Sequence, residues 1–159
     1  MSQRINYAQQ APELFKKFSE FSNALKQGSI EASIHDLVNI RASQLNGCTF
    51  CLDMHVKEAT LHGERTLRLY HVAAWRESTL FSPRERAALE WTEALTHLTS
   101  HGVPDDLYER VRAHYDEKEL SDLTFLVGAI NSWNRLNIAF RAVPGSFDKM
   151  FGLDKANLE

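Results

Sequence analysis

Cys48 and Cys51, the only two cysteines among 159 residues, form a C-x-x-C with His55 four residues after the second. Positions i, i+3 and i+7 fall near one stripe of an α-helix, so a single imidazole can serve both sulfurs. Helical residues three apart also bring their Cα atoms within the roughly 4.4–6.8 Å that a disulfide needs, and the pair can close and reopen without refolding. Asn46-Gly47 reads as a break just ahead. It places Cys48 at a helix N-terminus, where unpaired amides and the helix dipole favour a thiolate.

A low-pKa cysteine, a base and a second cysteine within reach are the minimum set for two-electron chemistry on a hydroperoxide. Cys51 attacks the peroxide oxygen, becomes a sulfenic acid and releases an alcohol; Cys48 then resolves it as a disulfide. His55 takes or shares the thiol proton. Asp36 orients or deprotonates His55, provided that their helices pack face to face. The two cysteine roles are interchangeable on these grounds. Turnover requires an external dithiol, and Cys48, nearer the helix start, is expected to be the more exposed sulfur and the point of its attack.

Two other uses of the same residues stand beside this one. Cys48, Cys51 and His55, with Asp36 or His62 as a fourth ligand, have the right types for zinc, although zinc sites more often join two separated half-sites. A redox-responsive scaffold, whose disulfide sets its assembly without turnover, needs only the pair. His97 and His101, with Glu93 one turn earlier, are read as residues favouring a helix C-terminus rather than as metal ligands. No glycine-rich phosphate loop is present, so neither a nucleotide nor a flavin cofactor is expected.

Apolar residues recur at helical spacing almost throughout, which predicts an all-α protein of about six to seven helices. The first runs from Pro12 to Lys26 with Leu14, Phe15, Phe18, Phe21 and Leu25 on one stripe. The second, capped by Ser29, carries Asp36 and ends at Asn46-Gly47. The third starts at the cysteines and stops at Gly63, followed by a short helix from Glu64 to about His71. Ser82-Pro83-Arg84-Glu85 is a capping box with proline at the first helical position, and it launches a helix to about Ser100. A sixth runs from about Pro104 to His114. The last spans about Glu117 to Arg141, with apolar residues on more than one face, as in a helix buried at the centre or against another subunit, and a homo-oligomer is expected. The tail keeps Phe147, Met150, Phe151 and Leu153 and is expected to dock.

With 43% hydrophobic residues, the chain is long enough to bury about 68–70% of its unfolded surface as one domain, 1–159, with a redox core at about 30–115 and a C-terminal helix and tail at 117–159. The net charge of −3, with basic residues scattered among acids, lacks the footprint of a nucleic-acid binder. The first thirty residues hold no continuous apolar segment, which predicts neither signal peptide nor membrane span and points to the cytosol. In that reducing compartment a lone cysteine pair is catalytic, sensing or metal-binding rather than structural.

The stretch Asp36-Leu37-Val38, through Arg41-Ala42-Ser43-Gln44-Leu45-Asn46-Gly47-Cys48-Thr49-Phe50-Cys51 to His55, resembles the core motif of AhpD-like alkylhydroperoxidases in the carboxymuconolactone decarboxylase superfamily. The likeness extends to Leu69–Trp75, Phe81–Leu89 and Trp133-Asn134-Arg135. It implies an AhpD-like helical fold, homo-oligomers (commonly trimers or hexamers), and peroxidase activity through a carboxylate, histidine and cysteine relay. The family's acid is usually a glutamate twelve residues before the first cysteine; here Asp36 holds that place, one methylene shorter, so its relay would run through water. A histidine directly before the second cysteine is replaced by Phe50, so reductant choice and peroxide affinity do not carry over. The decarboxylase branch generally lacks the cysteine pair, which argues against lactone decarboxylation here. The combined expectation is a cofactor-free thiol peroxidase for small organic hydroperoxides, recycled by an external dithiol.

Overall fold

The computed structural model describes residues 2–158. Among the described residues there are nine α-helices and no β-strand: α1 (Tyr7–Gln10), α2 (Pro12–Leu25), α3 (Ala32–Asn46), α4 (Thr49–Leu61), α5 (Thr66–His71), α6 (Pro83–Thr96), α7 (Asp105–Arg112), α8 (Glu117–Phe140) and α9 (Asp148–Phe151). Seven are the helices expected from periodicity, and α1 and α9, one turn each, are additional. No helix among the described residues is long and apolar enough to cross a membrane.

Capping sets the frame. The box at Ser82 and Glu85 forms as expected, and Asp116 with Glu119 forms a second one that starts α8. Each satisfies two amides that a helix start otherwise leaves without partners. Ser29, expected to cap α3, does not. Its N–H and its hydroxyl both donate to Asp122 of α8 at 2.8 Å, and Glu31 takes the cap position without a side-chain bond. Two charge-assisted bonds to one carboxylate outweigh a neutral cap.

Helix α3 is the central element and packs on α4, α6 and α8. Its Leu37, Val38, Ile40 and Ala42 are fully buried, which divides the interior into one cluster shared with α6 and α8 and another shared with α4 and the turn around Trp75. Arg41 on the same helix reaches Glu93 of α6 at 2.6 Å; the same carboxylate accepts the indole N–H of Trp75 and pairs with Arg76. Glu93 is therefore committed to bracing α3 against α6.

Helix α2 behaves differently from its amphipathic pattern. None of its residues is buried; Phe18 stacks on Trp133 of α8, while Leu14 stays 70% exposed and Phe125 on α8 is 59% exposed. The C-terminal segment docks as expected. Leu153 is buried, Lys57 of α4 bonds Asp148 at 2.6 Å and Asp53 at 2.9 Å, and the Gly145 N–H also donates to Asp53.

Candidate functional site

Helices α3 and α4 are joined by only Gly47 and Cys48, and the chain turns at Gly47, with φ +68°, a left-handed conformation that glycine adopts without the strain a side chain would bring. The approach to this turn is fixed by buried amides. Asn46 Nδ2 donates to Asn131 Oδ1 and Asn134 Oδ1, both at 2.9 Å, and Asn134 Nδ2 donates to Ser43 Oγ at 3.1 Å. Asn131 and Asn134 lie three apart on α8 and present one polar seam to α3. Replacing Asn134 by alanine strands Ser43 and half of the Asn46 amide in a dry interior, and is expected to cost about 2 kcal/mol in denaturant unfolding.

Past the turn, Cys48 is the N-cap of α4 and its Sγ accepts the N–H of Cys51 at 3.3 Å. The two cysteines are joined as a disulfide with Cα atoms 5.4 Å apart. Both sulfurs sit where the sequence places them, but Cys48 does not offer the exposed sulfur expected for a reductant's attack: Cys48 is 2% and Cys51 1% exposed, both buried. Tertiary packing overrides the exposure usual at a helix start. Phe50 buries itself beside the sulfurs, and Met54, Ala142 and Phe147 close over them, Phe147 standing edge-on to Phe50. The docked tail thus lies over the disulfide.

His55, 8% exposed, follows on α4 one turn after Cys51. The acid bonded to it is Glu58, whose Oε2 lies 2.7 Å from His55 Nδ1. Asp36, the acid expected to support His55, instead bonds His62 Nδ1 at 2.8 Å. Its relay to His55 is not a direct contact. Helices α3 and α4 do pack closely, but the shorter aspartate side chain meets the histidine two turns further along α4. Glu58 was legible in principle, since a glutamate three residues after a histidine shares its helix face.

The two carboxylates differ in charge. Burial would push the Glu58 carboxyl up, but its hydrogen bond to His55, the His55 charge and Lys26 pull it down to about 2. Burial raises Asp36, and the His62 hydrogen bond and charge offset this only in part. Glu58 is accordingly the more firmly ionised partner next to the sulfurs' helix face. Among the described residues no group of three or more His, Cys, Asp and Glu is arranged to hold a metal ion.

A further histidine sits in this cluster. His35 Nδ1 lies 3.3 Å from Asn39 Nδ2 while its buried Nε2 has no partner; burial first, then the charges of Lys26 and His55, lower its pKa from 6.5 to about 4. Between those values the unfolded chain binds a proton that the folded chain refuses, so stability is complete above pH 6.5 and falls as the pH drops towards 4. Chemical denaturation should show about 2 kcal/mol lost between pH 7 and pH 4.5, with a clearly smaller loss in His35→Gln.

Sequence reasoning also missed Asn137 and Tyr7. Asn137 Nδ2 lies 3.4 Å from Cys51 Sγ, and Tyr7 donates its hydroxyl to Asn137 Oδ1 at 2.9 Å. These residues are distant in sequence from the motif, and only the packing of α1 and α8 reveals them.

Comparison with known proteins supplies the relatives. The carboxymuconolactone decarboxylase family model matches residues 12–94. The chain is 48% identical over 139 residues to the uncharacterized protein YdfG of Bacillus subtilis (strain 168), covering 87% of this chain and 95% of that protein. A crystal structure of a protein of unknown function from Agrobacterium tumefaciens, suggested there to be the antioxidant defence protein AhpD, superposes with a TM-score of 0.87 at 40% identity, covering 90% of this chain and 98% of the other. The debrominase Bmp8 shares the fold at a TM-score of 0.78 and 18% identity, covering 92% of this chain and 78% of that one.

Proposed function

The chain belongs to the carboxymuconolactone decarboxylase family as an AhpD-like member, and from that premise we propose that it is a thiol peroxidase for small organic hydroperoxides. The family includes enzymes of several kinds, so the reaction has to be argued from the site. The observation that carries the proposal is a disulfide formed at the start of α4, with the His55–Glu58 pair on the same helix.

The chemistry balances with this chain's own groups and one external reductant. The Cys51 thiolate attacks the terminal oxygen of ROOH, the O–O bond breaks, and the alkoxide leaves as ROH with a proton drawn through His55. Sulfur has lost two electrons and carries a hydroxyl. Cys48 then attacks that sulfur, and water leaves as the disulfide forms. A dithiol restores both thiols by two exchange steps and is itself oxidised. Ionised Glu58 keeps His55 oriented and stabilises its cationic form. The exposed Leu14, Phe125 and Ile138 support a homo-oligomer as the working form.

Steady consumption of tert-butyl or cumene hydroperoxide by catalytic amounts of the protein, with dithiothreitol in excess, is the expected result. Consumption that stops at one equivalent per chain would instead support a redox-responsive scaffold.

A further inference from the structure

We propose that Asn137 is a third functional partner of the reacting sulfur: its amide N–H, aimed by the Tyr7 hydroxyl, stabilises the thiolate of Cys51 in the reduced protein. The inference deepens the peroxidase reading and rests on it for its catalytic meaning, though the ionisation of Cys51 is measurable without any peroxide.

The geometry carries it. Asn137 is buried and on α8, and its Nδ2 lies 3.4 Å from Cys51 Sγ, within reach of a hydrogen bond to sulfur. A buried amide donor is rarely left without an acceptor, and this sulfur is the partner it has. The other end of the amide is fixed by Tyr7, whose hydroxyl donates to Oδ1 at 2.9 Å. Tyr7 in turn is held by its ring, packed among Phe15, Trp133 and Phe140. A phenol hydroxyl can bond an amide in either sense, whereas a thiolate only accepts. Ionised Cys51 therefore selects the orientation in which nitrogen faces sulfur. The backbone carbonyl of Asn137 also accepts the N–H of Ala142, which packs on the same sulfurs.

The arrangement gives each cysteine its own donor: the Cys51 N–H for Cys48, the Asn137 amide for Cys51. The titratable or charged groups on the elements packed against Cys51 include His55 with Glu58, and Lys57 with Asp53, on α4, Asp148 on the tail, Asp36 with its partner His62 between α3 and the end of α4, and Tyr7 on α1. Burial keeps the Tyr7 phenol protonated well past neutral pH, so its hydroxyl remains a donor. Cys51 is the third residue of α4, within its first turn, while Cys48 holds the N-cap position itself. Without the amide, its burial would disfavour the thiolate that must attack. Asn137 thus touches the reacting atom, and Tyr7 is a positioning residue acting through it.

The test is the pH dependence of iodoacetamide alkylation in the full-length Cys48→Ser chain, where Cys51 is the sole thiol. Asn137→Leu is expected to raise the midpoint by about one pH unit, the size of a lost hydrogen bond to a charged group. Asn137→Asp, of equal size, should raise it further, because it sets a carboxylate against the sulfur. Tyr7→Phe, which removes only a hydroxyl, should shift it in the same direction by less, and it keeps the test alive if Asn137→Leu fails to fold. In the Cys51→Ser chain the same changes should leave the Cys48 midpoint in place, which a general loosening of the fold would not. Unchanged Cys51 midpoints in Asn137→Asp and Tyr7→Phe overturn the inference. Shifted midpoints in a protein that consumes no peroxide leave it standing and remove the peroxidase reading alone.

Discussion

Cys51→Ser is expected to reduce peroxide consumption to the uncatalysed background, while Cys48→Ser should still perform a single turnover and stop as a sulfenic acid. The asymmetry follows from the two sulfurs' surroundings. Cys51 has the Asn137 amide and lies one helical turn from His55, whereas Cys48 is bonded through the helix start. Attack by Cys51 therefore places the developing alkoxide where a proton can be supplied, and leaves Cys48 free to close the disulfide across a Cα separation of 5.4 Å. The check is intact-mass analysis after one equivalent of hydroperoxide with dimedone present. A dimedone adduct on Cys48→Ser and none on Cys51→Ser is predicted. The reverse pattern exchanges the two roles, and adducts on neither remove the thiol mechanism.

The second large effect falls on His55. Removing a general acid–base group usually costs 10²–10⁴ in rate, so His55→Gln should lower kcat/KM for hydroperoxide by about 10². The more discriminating comparison is between the two acids. Glu58 bonds His55 at 2.7 Å and is held ionised down to about pH 2, whereas Asp36 bonds His62. Glu58→Gln is therefore expected to slow turnover by about tenfold, the equivalent of 1.4 kcal/mol, and Asp36→Asn by much less. Stopped-flow rates of disulfide formation measure both variants. A larger loss in Asp36→Asn than in Glu58→Gln would restore Asp36 as the acid that serves His55.

These two expectations mark where the sequence was readable and where it was not. The capping box at Ser82 and Glu85, the break at Asn46-Gly47 and the cysteine pair at the start of α4 depend on residues within a few positions of one another, and each stands where local rules place it. The Glu58–His55 pair is also local, at a spacing of three, whereas Asp36, the acid expected to support His55, depends on how α3 and α4 pack face to face. The Asp36–His62 bond and the Asn137–Cys51 bond join residues 26 and 86 positions apart, and only the packing of α3 and α8 on α4 decides them. Burial of Cys48 belongs to the same class. A helix start is ordinarily exposed, and here Phe147 and Ala142, nearly a hundred residues downstream, cover it.

Ser29 makes the same point on a smaller scale. As a helix cap it would satisfy α3 alone; bonded to Asp122 it ties the start of α3 to α8, the helix that also carries the asparagine seam. Elements whose ends are held by partners from elsewhere in the chain escape local reading, and the candidate site is built mostly from such elements.

The most direct measurement is a thiol count on fully reduced, metal-free protein before and after one equivalent of an organic hydroperoxide. With only Cys48 and Cys51 able to respond, rapid loss of both thiols, reversed by a dithiol, is the predicted result. Two thiols still present after the peroxide has been added would contradict the account.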